Sequence, residues 1–390
     1  MNLFWETEEV KEGFDFEQSK SDLIENLDYL HSMSVEEHTL YKKWKELQDP
    51  NIIKNKSLIS YFYDSQWKPT DINNKELTIK EINELEPYVE IVGDNSKDIA
   101  KWTYLRKMIH TMSWVANPGR NVKISVRDRK TNKLLGLISL GSDVTSIKVR
   151  DDYIGWTQDD KFKNGKLNNT TIATSIVSTQ PLGYNFLGGK LVSMMCTVPE
   201  VREYWEKKYK NKLIAVNTTS LYGVHSQYNG IPHYKTLGET AGKISIKPDD
   251  DVYEPWHHYV KEKYPEWYQA EIMSNKSSPK QRILNKIFKE CGIKLTDYHH
   301  GYKRGVYIAQ MYDNGNEFLC SKLDEKDLKM KQKFEEGVDY ISRWWKKKAI
   351  NRYTKLYDTG RLKPEHLYYV EGIGITWESF KEKYLSEVGR

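Results

Sequence analysis

A chain of 390 residues with 38% apolar and 13% aromatic side chains has material for a real core in two or three domains, and is too rich in aromatics to read as disordered. Its 60 basic and 55 acidic residues leave a net charge of +5, too small an excess to identify a nucleic-acid partner, so the distribution of charge matters more. No run of 18 apolar residues occurs and the opening MNLFWETEEVKEGFDFEQ is acidic, which predicts neither a membrane span nor a signal peptide.

Residues 1–117 read as an N-terminal helical region. SKSDLIENLDYLHSM and VEEHTLYKKWKELQD place apolar side chains at helical spacing, with Ser19 or Ser21 as candidate caps. KDIAKWTYLRKMIHTMSWV predicts a longer amphipathic helix. Asn117-Pro118-Gly119 should end it, because the residue before proline avoids the helical region and glycine frees the turn.

Between 118 and 250 the pattern changes. NVKISVRDRKTNKLLGLISLGS alternates apolar and polar residues about Lys130-Thr131-Asn132-Lys133, which predicts a β-hairpin. TTIATSIVST and KLIAVNTTSL predict two more strands, separated by one helix over 184–208. The order β-β-β-α-β implies a mixed sheet with a crossover connection. Residues 251–390 predict a basic, aromatic-rich helical region with one hairpin, GVYIAQMYDNGNEFLC, turning at Asp313-Asn314-Gly315-Asn316. The class is therefore α+β, a mixed-sheet core flanked by N- and C-terminal helical regions. Cys196, Cys291 and Cys320 are far apart, which fits a reducing cytoplasm and neither a disulfide framework nor a cysteine-based zinc site.

TIATSIVSTQPLGYNFLGGKLVSMM joins a strand to a helix through Gln180-Pro181-Leu182-Gly183. Bare amides at a helix N-terminus suit a phosphate, and Gly183 would let the backbone approach it. Alternatively Gly183 is only a turn. Gly188 and Gly189 inside a helix each cost about 1 kcal/mol relative to alanine, so they imply either a packing notch or a ligand lying on bare backbone.

The order strand, Q-x-x-G loop, helix, strand, then YNGIPHYKTLGETAG is similar to the core of GCN5-related acetyltransferases. That resemblance implies a mixed-sheet acetyltransferase-like fold, with acetyl-CoA or another phosphate-bearing donor held by Gln180, Gly183, Asn185, Gly188 and Gly189. The chain departs at Asn185, where that superfamily normally has Gly or Ala. In such folds a tyrosine in this region often protonates the leaving thiolate, which implies Tyr228 as the acid.

A closer resemblance rests on Arg150-Asp151-x-x-Ile154-Gly155-Trp156, Asn185 with Lys190-Leu191, Trp205-x-x-Lys208-Tyr209-x-x-x-Leu213, and Leu237-Gly238-Glu239-Thr240. These motifs, spread over residues 120–245, look like the DruA family of the Druantia anti-phage defence system, which has relatives in phages and beside transposases. Membership would imply a cytoplasmic protein with possible protein partners from a defence or phage system.

Chemistry then has a few candidate carriers. Asp151 could act as general base or hold a metal, and Asp152 beside it would matter in a nuclease; equally, Arg150 and Asp151 could simply pair at a strand end. Trp156 could stack on a base, although tryptophans are more often core. His225 titrates near neutrality and could take a proton, or be an ordinary loop residue. The pairs His257-His258 and His299-His300 invite a metal, but adjacent side chains point apart and no third ligand follows at metal spacing, so no metal is assigned. Lys303 and Arg304, among glycines, suit a phosphate contact. ISRWWKKKAINRYTKL (341–356) has six basic residues and no acid. There Arg343, Lys346, Lys347, Arg352 and Lys355 could neutralise phosphates, with Trp344 and Trp345 stacking on bases. The expected activity is a nucleic-acid-directed transferase, DNA favoured as target. A DNA-binding or DNA-cleaving component of a defence, counter-defence or transposition system is the alternative.

Overall fold

Nine strands form in a computed structural model that describes residues 13–54, 56–115, 119–221, 226–240, 242–274, 279–363 and 369–387. They are β1 (Pro87–Ile91), β2 (Asn121–Asp128), β3 (Leu134–Ser142), β4 (Thr170–Ser178), β5 (Ala215–Ser220), β6 (Lys235–Glu239), β7 (Lys243–Ser245), β8 (His299–Gly301) and β9 (Gly305–Gln310). β2 alternates buried and half-buried side chains, whereas β3 and β9 are buried almost throughout. Seven form one mixed sheet in the order β1-β2-β3-β4-β5-β9-β6, and β7 pairs with β8 as a separate ribbon. The class is α+β.

The β2–β3 hairpin forms where the alternation placed it. Asp128 accepts from the backbone N–H and hydroxyl of Thr131 at 2.9 and 2.7 Å, and Asn132 takes a positive φ of 56°, conformations that suit these residue types. Between β4 and β5, however, there is no single helix over 184–208. Three helices carry the crossover: Gln180–Phe186, Gly188–Met195 and Pro199–Tyr209. Leu187, at φ 54°, breaks the first from the second, and Pro199 opens the third, where its missing N–H costs nothing.

The second of these helices buries Leu191, Val192, Met194 and Met195. Val192 sits where a Cβ on Gly136 of β3 would be, so helix and sheet approach closely. On the helices' other side lies Val338–Asp358. Its Trp345 is fully buried and donates its indole N–H to the Phe186 carbonyl at 2.9 Å, while Tyr353 stacks on Phe186 with ring centroids 5.4 Å apart. The helix is therefore held by aromatic burial, worth roughly 1.5–3 kcal/mol per fully buried large side chain.

Three expectations need correction. GVYIAQMYDNGNEFLC holds one strand, β9, and the second half is the helix Gly315–Leu319, with Gly315 packed against Gln310 and Ile214. Ser19 and Ser21 cap nothing; Asp15 is the N-cap of Phe16–Ser32, accepting from the Gln18 N–H at 3.1 Å. The helix begun near Lys97 ends at Ile109, well before Asn117-Pro118-Gly119, of which 117 and 118 lie outside the described residues.

The pattern breaks near 117 and 250 mark changes of element type along the chain. By packing, the described residues group into two compact units: one of 13–38 and 243–302, the other of 39–242 and 303–387. In the smaller unit Trp256 is buried and donates to the Ser19 carbonyl at 3.2 Å, and Asn26 is doubly bonded to Asp249. The larger unit contains the seven-stranded sheet. Among the described residues no helix is long and apolar enough to cross a membrane.

Candidate active-site cleft

All neighbouring strands of the large sheet are antiparallel except β4 and β5, which run parallel and pair only at Thr170↔Ala215, Thr171↔Val216 and Ile172↔Asn217. Beyond that point β4 continues on β3 and β5 continues on β9. The two strands part, and a cavity of about 520 Å³ opens between them.

The closed end is pinned by a buried polar network. Asp143 accepts from Thr170 Oγ1 on β4 and Asn217 Nδ2 on β5, both at 2.6 Å, and from Arg150 Nη1 at 2.7 Å. Arg150 is fully buried and reaches Asp151 Oδ1 through Nε and Nη2 at 2.9 and 2.7 Å. The Trp156 indole N–H and the Lys161 ammonium also donate to Asp151, each at 3.1 Å. Burial opposes the charge on Asp151, but Arg150, Lys161 and Trp156 outweigh it and hold the carboxyl below its ordinary range. Such a carboxylate is a weak base. Arg150 and Trp156 (7% exposed) lie inside the same framework and present little surface to a polymer. Asp152, by contrast, is exposed and pairs with Lys148 at 2.7 Å.

The cavity walls come from Ala173, Ile176 and Val177 of β4 and Thr218, Thr219 and Ser220 of β5. Tyr228 joins them. Its phenol lies 3.4 Å from Thr218 Oγ1, and burial pushes its pKa up to about 12, so it holds its proton at neutral pH. Arg304 also lines the cavity, which has no carboxylate among its lining residues. Lys303 is exposed. His225 lies outside the described residues.

Two further groups are found only in space. His110 lines the cavity, and its Nδ1 accepts the Met112 N–H at 2.9 Å, which leaves the ring proton on Nε2. Burial, then the charges of Arg106 and Lys43, hold its pKa well below the usual imidazole range. Arg106 is anchored by Ser175 Oγ of β4 at 3.2 Å and the Met112 carbonyl at 2.6 Å. Both come from the segment Lys97–Val115, whose helical periodicity gave no chemical signal.

The stretch expected as a loop after β4 is the short helix Gln180–Phe186, and none of Gln180, Gly183, Asn185, Gly188 and Gly189 is among the residues lining the cavity. Asn185 is clamped to the Lys363 backbone by bonds of 2.8 and 3.1 Å. A Cβ on Gly188 would lie 2.7 Å from the Leu182 carbonyl oxygen, so that glycine is a packing notch. Neither glycine sits in mid-helix as expected; both open the helix after Leu187. Gly189 leaves room for the Gln227 carboxamide, itself a lining group of the cavity. Gln180 donates to the Ile109 carbonyl at 3.0 Å, and Gly183 is partly exposed, 3.3 Å from Ser178 Oγ at its virtual Cβ.

The basic helix Val338–Asp358 resolves into two faces. Trp345 is in the core, Trp344 is half-buried, Arg343 pairs with Glu336 at 2.5 Å, and Lys346 donates to the Asn83 carbonyl at 2.7 Å. Lys347, Lys348 and Lys355 face solvent. Arg352 lies 4.9 Å from the centroid of the Tyr184 ring, as does Lys363, so the helix brings positive charge to the short helix after β4. Among the described residues no group of three or more His, Cys, Asp or Glu side chains could hold a metal ion.

The family model described as Druantia protein DruA matches residues 41–321, more than half of the chain. The chain is also 27% identical over 228 residues to the Druantia protein DruA of Escherichia coli (strain UMEA 4076-1), an alignment covering 54% of this chain and 55% of that protein. The chain thus spans about half the length of that relative. No solved structure matches it.

Proposed function

The chain belongs to the DruA family, and from that premise we propose that it is a defence-associated group transferase. In this reading the cleft between β4 and β5 takes a phosphate-bearing acyl donor such as acetyl-CoA, and the acceptor is an amine on a nucleic acid, DNA in the first instance. The observation that carries the reading is the parallel step in the sheet, where pairing stops after three residue pairs and a cavity opens beyond. A sheet opened in this way, with a helix starting directly after β4, supports the likeness to acetyltransferases. The lining fits such a donor: it carries Arg304, hydroxyl groups and apolar walls, and no carboxylate that would repel phosphates.

The donor would supply an acyl carbon bonded to a sulfur leaving group. Tyr228, protonated at neutral pH, would give its proton to that sulfur as the C–S bond breaks and the new C–N bond forms, and the proton released by the attacking amine would return to the tyrosinate. His110, neutral with its proton on Nε2, can donate a hydrogen bond but is a poor base at the depressed pKa. Asp151 keeps its place as the anchor of Arg150 and Lys161 rather than as the base. Lys347, Lys348, Lys355 and Arg352 would contact the polymer's phosphates.

Thermal denaturation with acetyl-CoA tests the donor. A ligand that binds only the folded protein raises the melting temperature, by an amount that grows with its concentration. The exposed lysines of Val338–Asp358 favour one other outcome. If oligonucleotides raise the melting temperature with steep salt dependence and no donor does, the protein is a DNA-binding scaffold and the transferase reading fails.

A further inference from the structure

Where β5 leaves β4, the inner edge of β4 loses the partner that would satisfy its carbonyl groups, and buried carbonyls need partners. Two side chains take over. Thr218 Oγ1 donates to the Ala173 carbonyl at 3.2 Å, and Gln227 Nε2 donates to the Ile176 carbonyl at 3.1 Å. Thr218 is part of β5. Gln227 is different, because it comes from the turn before β6 and reaches into the cavity it lines.

Its surroundings are built for it. The carboxamide oxygen occupies the volume that a Cβ on Gly189 would fill, so any other residue at 189 would displace it. Lys190 holds the backbone beneath, donating to the Gln227 carbonyl at 3.4 Å and to the Asn229 carbonyl. Gln227 precedes Tyr228 in the chain, and both side chains line the cavity. One carboxamide therefore touches the open edge of β4 and the start of the helix Gly188–Met195, beside the proposed proton donor.

We propose that Gln227 is a displaceable plug that sets the specificity of the cleft: a ligand lying along β4 must carry an N–H group able to replace it on Ile176. The inference rests on the transferase reading, and it names the class of donor that reading requires: an extended chain bearing a secondary amide. A ligand without that amide would push Gln227 aside and leave the Ile176 carbonyl unpaired, a loss of about tenfold in affinity. Gly189 is then explained by the need to seat the plug.

Calorimetric titration with CoA on the wild-type chain, Gln227→Ala and Gly189→Ala tests this. Either variant removes or expels the plug, so each should bind CoA more tightly, by about tenfold. The two act from opposite sides of the contact, so a folding defect in one leaves the other informative. CoA binding to the wild-type chain with equal or weaker binding to both variants overturns the plug and leaves the transferase reading standing. No CoA binding to any of the three overturns both.

Discussion

Asp143 and Asn217 meet at 2.6 Å at the last residue pair that β4 and β5 share. The same carboxyl group takes Thr170 on β4 and the buried Arg150, so one side chain ties both strands to a fixed charge at the point where they separate. Asp143→Ala would leave the buried Arg150 with Asp151 as its only carboxylate partner and take the shared acceptor from Thr170 and Asn217. Leaving buried donors unsatisfied costs about 1–3 kcal/mol, and a lowered urea midpoint at unchanged m-value would show it.

His233 predicts how stability depends on acid. Burial, with Lys333 adding to it, pushes its pKa down to about 3, whereas an exposed histidine titrates near 6.5. Between those values the unfolded chain takes up a proton that the folded chain refuses. Stability from this site is therefore complete above pH 6.5 and falls as the pH drops from there toward 3, by at most about 1.4 kcal/mol per unit. Urea midpoints at pH 7, 5.5 and 4.5 should fall less steeply in His233→Leu than in the wild-type chain.

The two faces of the basic helix should separate cleanly. Trp345→Ala removes a fully buried indole and its hydrogen bond to Phe186, and should cost about 3–5 kcal/mol in denaturant. Replacing Lys347 and Lys355 by alanine should move stability by no more than about 0.5 kcal/mol. In oligonucleotide binding the double variant should flatten the plot of log affinity against log salt by about two charge equivalents. An unchanged slope would remove this helix from the interface.

Tyr228→Phe distinguishes chemistry from architecture. The phenol meets Thr218 at a long 3.4 Å, so the loss should cost only about 1 kcal/mol of stability. If Tyr228 is the proton donor, acetyl-CoA should still raise the melting temperature while turnover falls by about 100-fold or more.

What could be read in advance came from local patterns. The β2–β3 hairpin alternates strongly enough to announce itself, and β4 and β5 show as short runs rich in β-branched residues although neither alternates. The edge strand β1 is only five residues long and β6 contains Gly238 at φ 123°, so neither has a clear period. Leu187 in the left-handed region carries no sequence signal, which hid the first break in the crossover, whereas Pro199, which opens the third helix, did mark the second. Asn314-Gly315 did mark a turn, but Gly315–Leu319 packs as a helix rather than a returning strand because Gly315 fits against Gln310 and Ile214. In the site, Tyr228 and Arg304 were singled out by sequence order and composition and do line the cavity, whereas Gln180 and Gly183, expected to hold the donor, lie in the short helix after β4 and are not among the lining residues. His110 and Gln227 were not legible, because what singles them out is proximity to an edge that exists only after β5 diverges.

The three pairs that join β4 to β5 are also the seam between a four-stranded and a three-stranded half of the sheet. From Ile172 to Ser178 the free part of β4 extends about 20 Å at roughly 3.3 Å per residue. Such a length works as a lever: a rotation of about 5° at the seam shifts the far rim by nearly 2 Å, more than a third of the spacing between neighbouring strands. Small adjustments around Asp143 are thereby magnified at the mouth, and the fulcrum sits at a carboxylate that grips both halves.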